Sequence, residues 1–316
     1  MKIILIGQSA FGKAVMEAIE TAGKDSLAAV FCPPPDQGGG QGDPLKEAAG
    51  RAGLTAYQFR RLRSPEAIAK SRELSADLCI MAFVTDIVPP EIINAPTLGT
   101  IQYHPSLLPK HRGPSSINWP IINGECSTGL TIFWPDSGLD TGPILLQREV
   151  AIGPDDTVGS IYFRKLFPMG VQALLDAIDL IRTENAPCIP QDESQATYEG
   201  WCRVEQADIQ WHRQASEIHN LIRGCDPQPG AHTTYKNINL QLYDSHIGGM
   251  ERGIPGTVLS IEKNGVEIAT GQGSVIVKRI RPAGGTKIPS LDYAKESCLR
   301  LGDRLGTLEG ESSVQG

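Results

Sequence analysis

Ile101-Gln102-Tyr103-His104-Pro105-Ser106-Leu107-Leu108-Pro109-Lys110-His111-Arg112-Gly113 is the stretch on which the reading of this chain turns. Ile101 and Tyr103 alternate with Gln102 and His104, which is the period of a strand. Pro105 has no N–H to give a ladder and ends it. His104 is therefore the last strand residue, at a carboxyl end, and ligands of open α/β sheets bind at that edge. Alternation turns Gln102 and His104 to one face. A histidine at a strand end also serves as an ordinary structural residue, so the surroundings have to decide.

Towards the amino terminus, Lys2 to Ile6 reads as a buried parallel strand and Gly7-Gln8-Ser9-Ala10-Phe11-Gly12-Lys13-Ala14 as the turn into a helix running to about Ala22. The turn is neither a P-loop nor a dinucleotide fingerprint. Ala14 stands where a hydroxyl must reach magnesium, and Ser9 stands where a glycine must let backbone approach a pyrophosphate. Leu27 to Cys32 is a second strand. Pro33-Pro34-Pro35 and Gly38-Gly39-Gly40 make a loop, and Asp43-Pro44 starts a helix. Ala76 to Met81 is a third strand, with residues 83–89 as its carboxyl-end loop.

Towards the carboxyl terminus, residues 115–122 suggest a helix, Gly129 to Trp134 a strand, 135–143 a glycine-rich turn and Ile144 to Val150 a returning strand. Residues 155–181 have helical spacing, with Pro168 expected to kink or divide them. Asn185 to Gly200 is polar and aperiodic. Ala215 to Arg223 suggests a helix, and Ile238 to Tyr243, Gly256 to Ile261, Val266 to Ala269 and Ser274 to Ile280 read as short strands.

The 316 residues suffice for two domains. With 40% hydrophobic and 21% charged residues the chain has the balance of a globular protein. A formal charge of −7 without a dense Lys/Arg run argues against a nucleic-acid partner. No apolar run is long enough for a membrane, and no secretory signal opens the chain. The seven cysteines are scattered without a C-x-x-C pair. Metal and redox motifs are therefore not expected, and free thiols fit a reducing, cytoplasmic setting.

His-Pro-Ser-Leu-Leu-Pro, followed by His-Arg-Gly, resembles the signature of the folate-dependent formyltransferases. Gly-Gln-Ser-x-Phe-Gly at residues 7–12 and Phe-Trp-x-Asp-x-Gly-Leu-Asp-Thr-Gly at 133–142 extend the resemblance. The wording is most similar to the N-terminal hydrolase domain of 10-formyltetrahydrofolate dehydrogenase. There is no room for an aldehyde-dehydrogenase domain, so oxidation of the formyl group is not expected. The resemblance spans about the first 280 residues. It implies an α/β fold with a Rossmann-like, mostly parallel sheet followed by a small OB-like β-barrel. The expected divisions are a catalytic domain over 1–184, a linker over 185–203, the second domain over 204–309 and a disordered tail over 310–316.

The resemblance further implies a site for 10-formyltetrahydrofolate as co-substrate, with no metal and no NAD. Gly-Leu-Asp-Thr-Gly carries the family's catalytic carboxylate, which maps onto Asp140, 36 residues after His104. Asp136 has no such support and is expected to bond its own turn. A histidine suits proton work near neutrality, with Asp140 orienting it, holding a water or stabilising the imidazolium. Phe83, Val84, Thr85, Asp86 and Ile87 would line the pteridine pocket, with Ser137, Gly138 and Leu139 opposite. Gln102 departs from the family, which mostly has Asn there as an oxyanion donor. Gln adds a methylene and about 1 Å of reach, and a misplacement of that size costs on the order of a hundredfold in rate. Gln102 is read as a donor in an adjusted pocket, with an inert amide as the alternative. Ser106 and Arg112 are placed at the substrate, against the alternatives of a loop cap and a solvated cation.

The acceptor is expected to be a small amine or water. Methionyl-tRNA is disfavoured, because residues 33–46 hold one cation, Lys46, against Asp36 and Asp43, where tRNA-formylating relatives have a basic insertion to grip phosphates. A folate-binding module with weakened chemistry is the reading from another class, and Gln102 is its support.

Overall fold

The computed structural model describes residues 1–35, 42–250 and 253–306. Residues 38–40 of the first loop, Asp36 and the tail after residue 309 lie outside them. The chain divides into two compact units. The first takes in 1–116, 129–150 and 163–199, and the second 117–128, 151–162 and the residues from Gly200 on.

Seven strands form the first sheet: β1 (Lys2–Gly7), β2 (Ser26–Cys32), β3 (Ala56–Gln58), β4 (Leu78–Ala82), β5 (Thr100–His104), β6 (Ser127–Phe133) and β7 (Ile144–Ala151), in the order β3-β2-β1-β4-β5-β6-β7. Strands β3 to β5 run parallel, and β6 turns antiparallel to β5. The chain first winds outward from β1 and then resumes on its other side at β4. This is the switch point at whose carboxyl ends ligands gather. The inner strands are apolar because both faces are covered; every residue from Leu78 to Ala82 is buried.

The turn after β1 is built for close packing. A Cβ on Gly7 would lie 2.5 Å from the Ala82 carbonyl oxygen. Ser9 takes a positive φ of 58°, held by the Asp43 carboxylate, which accepts the Ser9 N–H at 2.9 Å and caps the helix Pro44–Arg51 through the Leu45 N–H at 2.8 Å. The helix Ser9–Ala22 buries Phe11, Val15, Met16 and Ile19, and Gly23 ends it in the left-handed conformation. Phe11 packs tilted at 4.5 Å against Tyr103, the neighbour of His104, and edge-on at 5.4 Å to Phe167.

Two helices differ from expectation. The 115–122 helix is shorter, Asn118–Ile122. The 155–181 stretch divides into Val158–Ile161, a π-helical turn Tyr162–Leu166, and Phe167–Arg182. Pro168 cannot give the N–H that a continuous helix needs, and the π turn absorbs the mismatch beside it.

The second unit holds an antiparallel sheet: β8 (Ala231–Tyr235), β9 (Ile238–Ile247), β10 (Val258–Glu262), β11 (Gly265–Ala269), β12 (Ser274–Pro282) and β13 (Ile288–Pro289). Its order is β10-β11-β12-β9-β8, with β13 on β12. The helices Ala215–Gly224 and Ser290–Ser297 cover a core that includes Trp211, Ile218, Leu242, Val266 and Val277. The small β-domain is the one expected. Strand β8 (Ala-His-Thr-Thr-Tyr) and the helix from Ser290 had no clear periodicity in the sequence. No helix among the described residues is long and apolar enough to cross a membrane.

Candidate active site

His104 closes β5, and its ring is buried, with 7% of the side chain exposed. Nε2 lies 2.9 Å from the backbone oxygen of His111. A carbonyl only accepts, so Nε2 carries the hydrogen and Nδ1 of the neutral ring holds a lone pair. Nδ1 lies 3.7 Å from Oδ2 of Asp140. That lone pair faces a carboxylate oxygen, the placement that a proton-accepting imidazole would need.

Asp140 reaches His104 by an indirect route. Register pairs His104 with Thr131 and Gln102 with Phe133, so β6 runs away from the imidazole. The turn after Trp134 has to come back over the sheet to return Asp140. Asp136 holds that turn, accepting the Gly138 N–H at 2.9 Å and the Thr141 hydroxyl at 2.6 Å, the local bonding expected of it. Gly142 passes so close that a Cβ there would lie 1.8 Å from the Trp134 oxygen. Asp140 itself has a φ of +57°, a conformation that Asp tolerates better than most residues. Its Oδ2 accepts the Gly113 N–H at 2.9 Å, which fixes the oxygen that faces His104.

Gln102 is half-buried on β5, between Met81 and Phe133 in the sheet register, and shares a strand face with His104. Loop 83–87 is pinned by Asp86, which accepts the Leu62 N–H at 2.7 Å and pairs with Arg61. The Thr85 hydroxyl accepts from the Gln8 amide at 3.3 Å, and Val84 packs inward. Phe83, with a φ of +61°, is exposed, and Ile87 is 73% exposed. Ser137 and Gly138 are exposed too, and Leu139 is 60% exposed. Single exposed apolar side chains are common on protein surfaces, and what makes these loops candidates is their place at the carboxyl edge of the sheet.

Two expected substrate contacts are corrected. Ser106 is fully buried, and its hydroxyl donates to the Lys110 oxygen at 2.7 Å while its own carbonyl accepts from Thr131. It ties the loop and does not face a substrate. Arg112 is 1% exposed. Its guanidinium donates to both Glu193 oxygens at 2.7 and 3.0 Å, to Gln191 Oε1 at 2.7 and 3.2 Å, and to the Tyr198 hydroxyl. Bonding to Glu193 pushes the guanidinium above its usual range, and the Glu193 carboxyl is pulled below its own by the same contact. A cation so committed has no fork left for a folate tail, and it is no solvated loop charge either.

The partners of this loop come from the segment read as linker. Ile189 pairs with Ile144 in an antiparallel bridge, and Arg112 with Tyr198 in a parallel one. The Gln191 amide donates to the carbonyls of Asp140 and Gly142. Nothing local in a polar, aperiodic stretch announces partners 45 to 88 residues away. Among the described residues no cluster of three or more His, Cys, Asp or Glu side chains is placed to hold a metal ion.

The profile of the formyl transferase family, described as "Formyl transferase", matches residues 1–178, and that of the formyl transferase C-terminal domain matches residues 202–297. Cytosolic 10-formyltetrahydrofolate dehydrogenase of Mus musculus is 39% identical over 312 residues, which is 94% of this chain and 34% of that protein. The chain spans about a third of the length of such dehydrogenase relatives. Methionyl-tRNA formyltransferase of Trichlorobacter lovleyi is 35% identical over 309 residues, 96% of both chains. Among solved structures, HypX from Aquifex aeolicus in complex with tetrahydrofolic acid matches with a TM-score of 0.68 at 19% identity, over 96% of this chain and 48% of that one. WlaRD, a sugar 3N-formyl transferase, matches with a TM-score of 0.67 at 20% identity, over 88% of this chain and 97% of that one. At these identities the two structures speak for the fold.

Proposed function

This chain belongs to the formyl transferase family, and we propose that it moves a formyl group from 10-formyltetrahydrofolate to a small amine or to water. The observation that carries the reading is the His104–Asp140 pair, with Nε2 of His104 occupied by a backbone carbonyl and Nδ1 left to take a proton. The donor supplies the formyl carbonyl. Nδ1 takes the proton of the amine or water as that nucleophile bonds to the formyl carbon, and Asp140 stabilises the resulting imidazolium at 3.7 Å; collapse of the tetrahedral adduct breaks the bond to N10 of the folate, which takes the proton from Nδ1 and leaves as tetrahydrofolate. The exposed Phe83, Ile87 and Leu139 suit the flat face of a pterin. The Gln102 amide, on the His104 face of β5, serves as donor to the developing oxyanion.

The test of the reaction is single-turnover consumption of 10-formyltetrahydrofolate with no acceptor, with a panel of small amines and with initiator tRNA. Formate released without an acceptor supports hydrolysis. Turnover with one amine supports a transferase and identifies its substrate. The tRNA arm has a specific motive. The acidic balance of the first loop counts against tRNA, yet the methionyl-tRNA formyltransferase relative matches along almost its whole length, so the expectation that tRNA is disfavoured does not stand on charge alone. Tight folate binding without turnover in any arm would refute the enzyme reading and favour a binding module.

Gln102→Leu keeps the bulk and removes the amide. Removing one oxyanion donor typically costs about 10²–10³ in kcat, so kcat should fall by at least a hundredfold with little change in the KM for folate. A variant with parental kcat would show that the amide is inert.

A further inference from the structure

We infer that Glu199 and Thr197 are positioning residues for His104, acting through His111; the inference rests on the reading of His104 as the proton-accepting group. The carbonyl that decides which ring nitrogen of His104 carries hydrogen belongs to His111. His111 is a non-glycine residue in the left-handed conformation, with a φ of +56°. Such a conformation persists where surrounding contacts over-determine it, and two of those contacts come from the strap of chain over residues 189–199.

The His111 N–H donates to the Thr197 hydroxyl at 2.8 Å, and its ring Nδ1 lies 3.1 Å from Oε1 of Glu199. The ring is 6% exposed and the Glu199 side chain 20%, so water competes little with that pair. The next residue is gripped on both backbone sides: the Arg112 N–H donates to the Thr197 oxygen at 3.0 Å, and the Glu199 N–H donates to the Arg112 oxygen at 3.2 Å. One residue further, a Cβ on Gly113 would lie 2.4 Å from the Glu199 oxygen, so this close approach requires glycine there.

The same loop therefore presents two backbone groups to the pair, the His111 carbonyl to His104 and the Gly113 N–H to Asp140. The strap bonds to the residues between them. Gln191 and Glu193 clamp Arg112, and Thr197 and Glu199 set the rotation of His111. Without the Glu199 carboxylate the His111 ring loses the contact at its Nδ1. The carbonyl can then rotate off Nε2, and His104 becomes free to place its hydrogen on either nitrogen. Nδ1 bearing that hydrogen cannot accept a proton.

The experiment measures kcat, KM for folate and the ¹⁵N signature of the His104 ring in the parent, Glu199→Gln, Glu199→Ala and Thr197→Val. The parent should show a single tautomer with hydrogen on Nε2. Glu199→Ala should show mixed tautomers and a kcat lower by roughly ten- to a hundredfold, the scale of a misplacement of about 1 Å, with folate KM within about twofold. Glu199→Gln keeps an oxygen to accept from the His111 ring and should recover most of the loss. Thr197→Val tests the second contact if Glu199→Ala folds poorly. A folded Glu199→Ala protein with parental kcat and a single Nε2–H tautomer would overturn the inference. So would a loss of kcat without any change in the tautomer. Because the tautomer is read without turnover, a parent that holds Nε2–H, loses it in Glu199→Ala and yet turns nothing over would sustain the positioning role while refuting the proposed reaction.

Discussion

His104→Ala is expected to lower single-turnover formyl loss by about 10²–10⁴-fold, the usual contribution of a positioned general base, while tetrahydrofolate still binds. The expectation follows from how the imidazole is held. Its Nε2 is spent on the His111 carbonyl, and its Nδ1, beside Asp140, is the atom proposed to accept the proton. Asp140 is already turned to accept the Gly113 N–H. Alanine also removes the Nε2–H that the His111 carbonyl accepts, and a lost hydrogen bond to a buried group costs about 1–3 kcal/mol. Stability should therefore be measured beside turnover. Parental turnover in a folded His104→Ala protein would remove the imidazole from the mechanism altogether.

Phe11→Ala is expected to destabilise the first unit by about 3–5 kcal/mol, the range for large-to-small changes of a buried phenylalanine. Phe11 is 1% exposed. It lies between Tyr103 on β5 and Phe167 on the long helix, and Gly170 is without a side chain at this place, its Cβ position lying 2.6 Å from Tyr103 and 3.1 Å from Phe11. A site packed on three sides by ring and backbone cannot collapse to fill the void. Urea unfolding followed by amide exchange in β1 and β5 reports on this unit directly. A midpoint shift worth less than about 1 kcal/mol would show that the aromatic cluster relaxes around the gap. Tyr103 adjoins His104, so some loss of turnover should accompany the loss of stability.

Part of the candidate site could be read from the chain. Strand alternation and a proline stop place His104 at its strand end, whereas only the resemblance of Gly-Leu-Asp-Thr-Gly to the family motif set Asp140 apart from Asp136, which bonds its own turn as its residue type suggests. Burial was harder to read. Ser106 and Arg112 are polar residues in a loop, and polarity alone points them outward. The structure turns both inward, because a fully bonded polar group can be buried at little cost. The split of the 155–181 helix was legible at Pro168, but the π turn was not, since no composition marks it. The strap was invisible for a different reason. Its residues are mostly polar and without period, and their meaning lies in partners 45 to 88 residues away. Pattern rules read neighbours along a chain and say nothing about such pairs.

The strap also bears on where this chain can be recombined. A boundary drawn at residue 184 follows the end of the long helix and looks natural for grafting a different second half onto the sheet. Such a chimera would carry His104 and Asp140 unchanged and still lose Gln191, Glu193, Thr197 and Glu199. The exchange point that keeps the catalytic loop intact lies after Glu199, fifteen residues beyond that helix-end boundary. Shuffling at the earlier point would yield a folded sheet with an untethered loop, and a library built there would score as inactive for reasons unrelated to its acceptor.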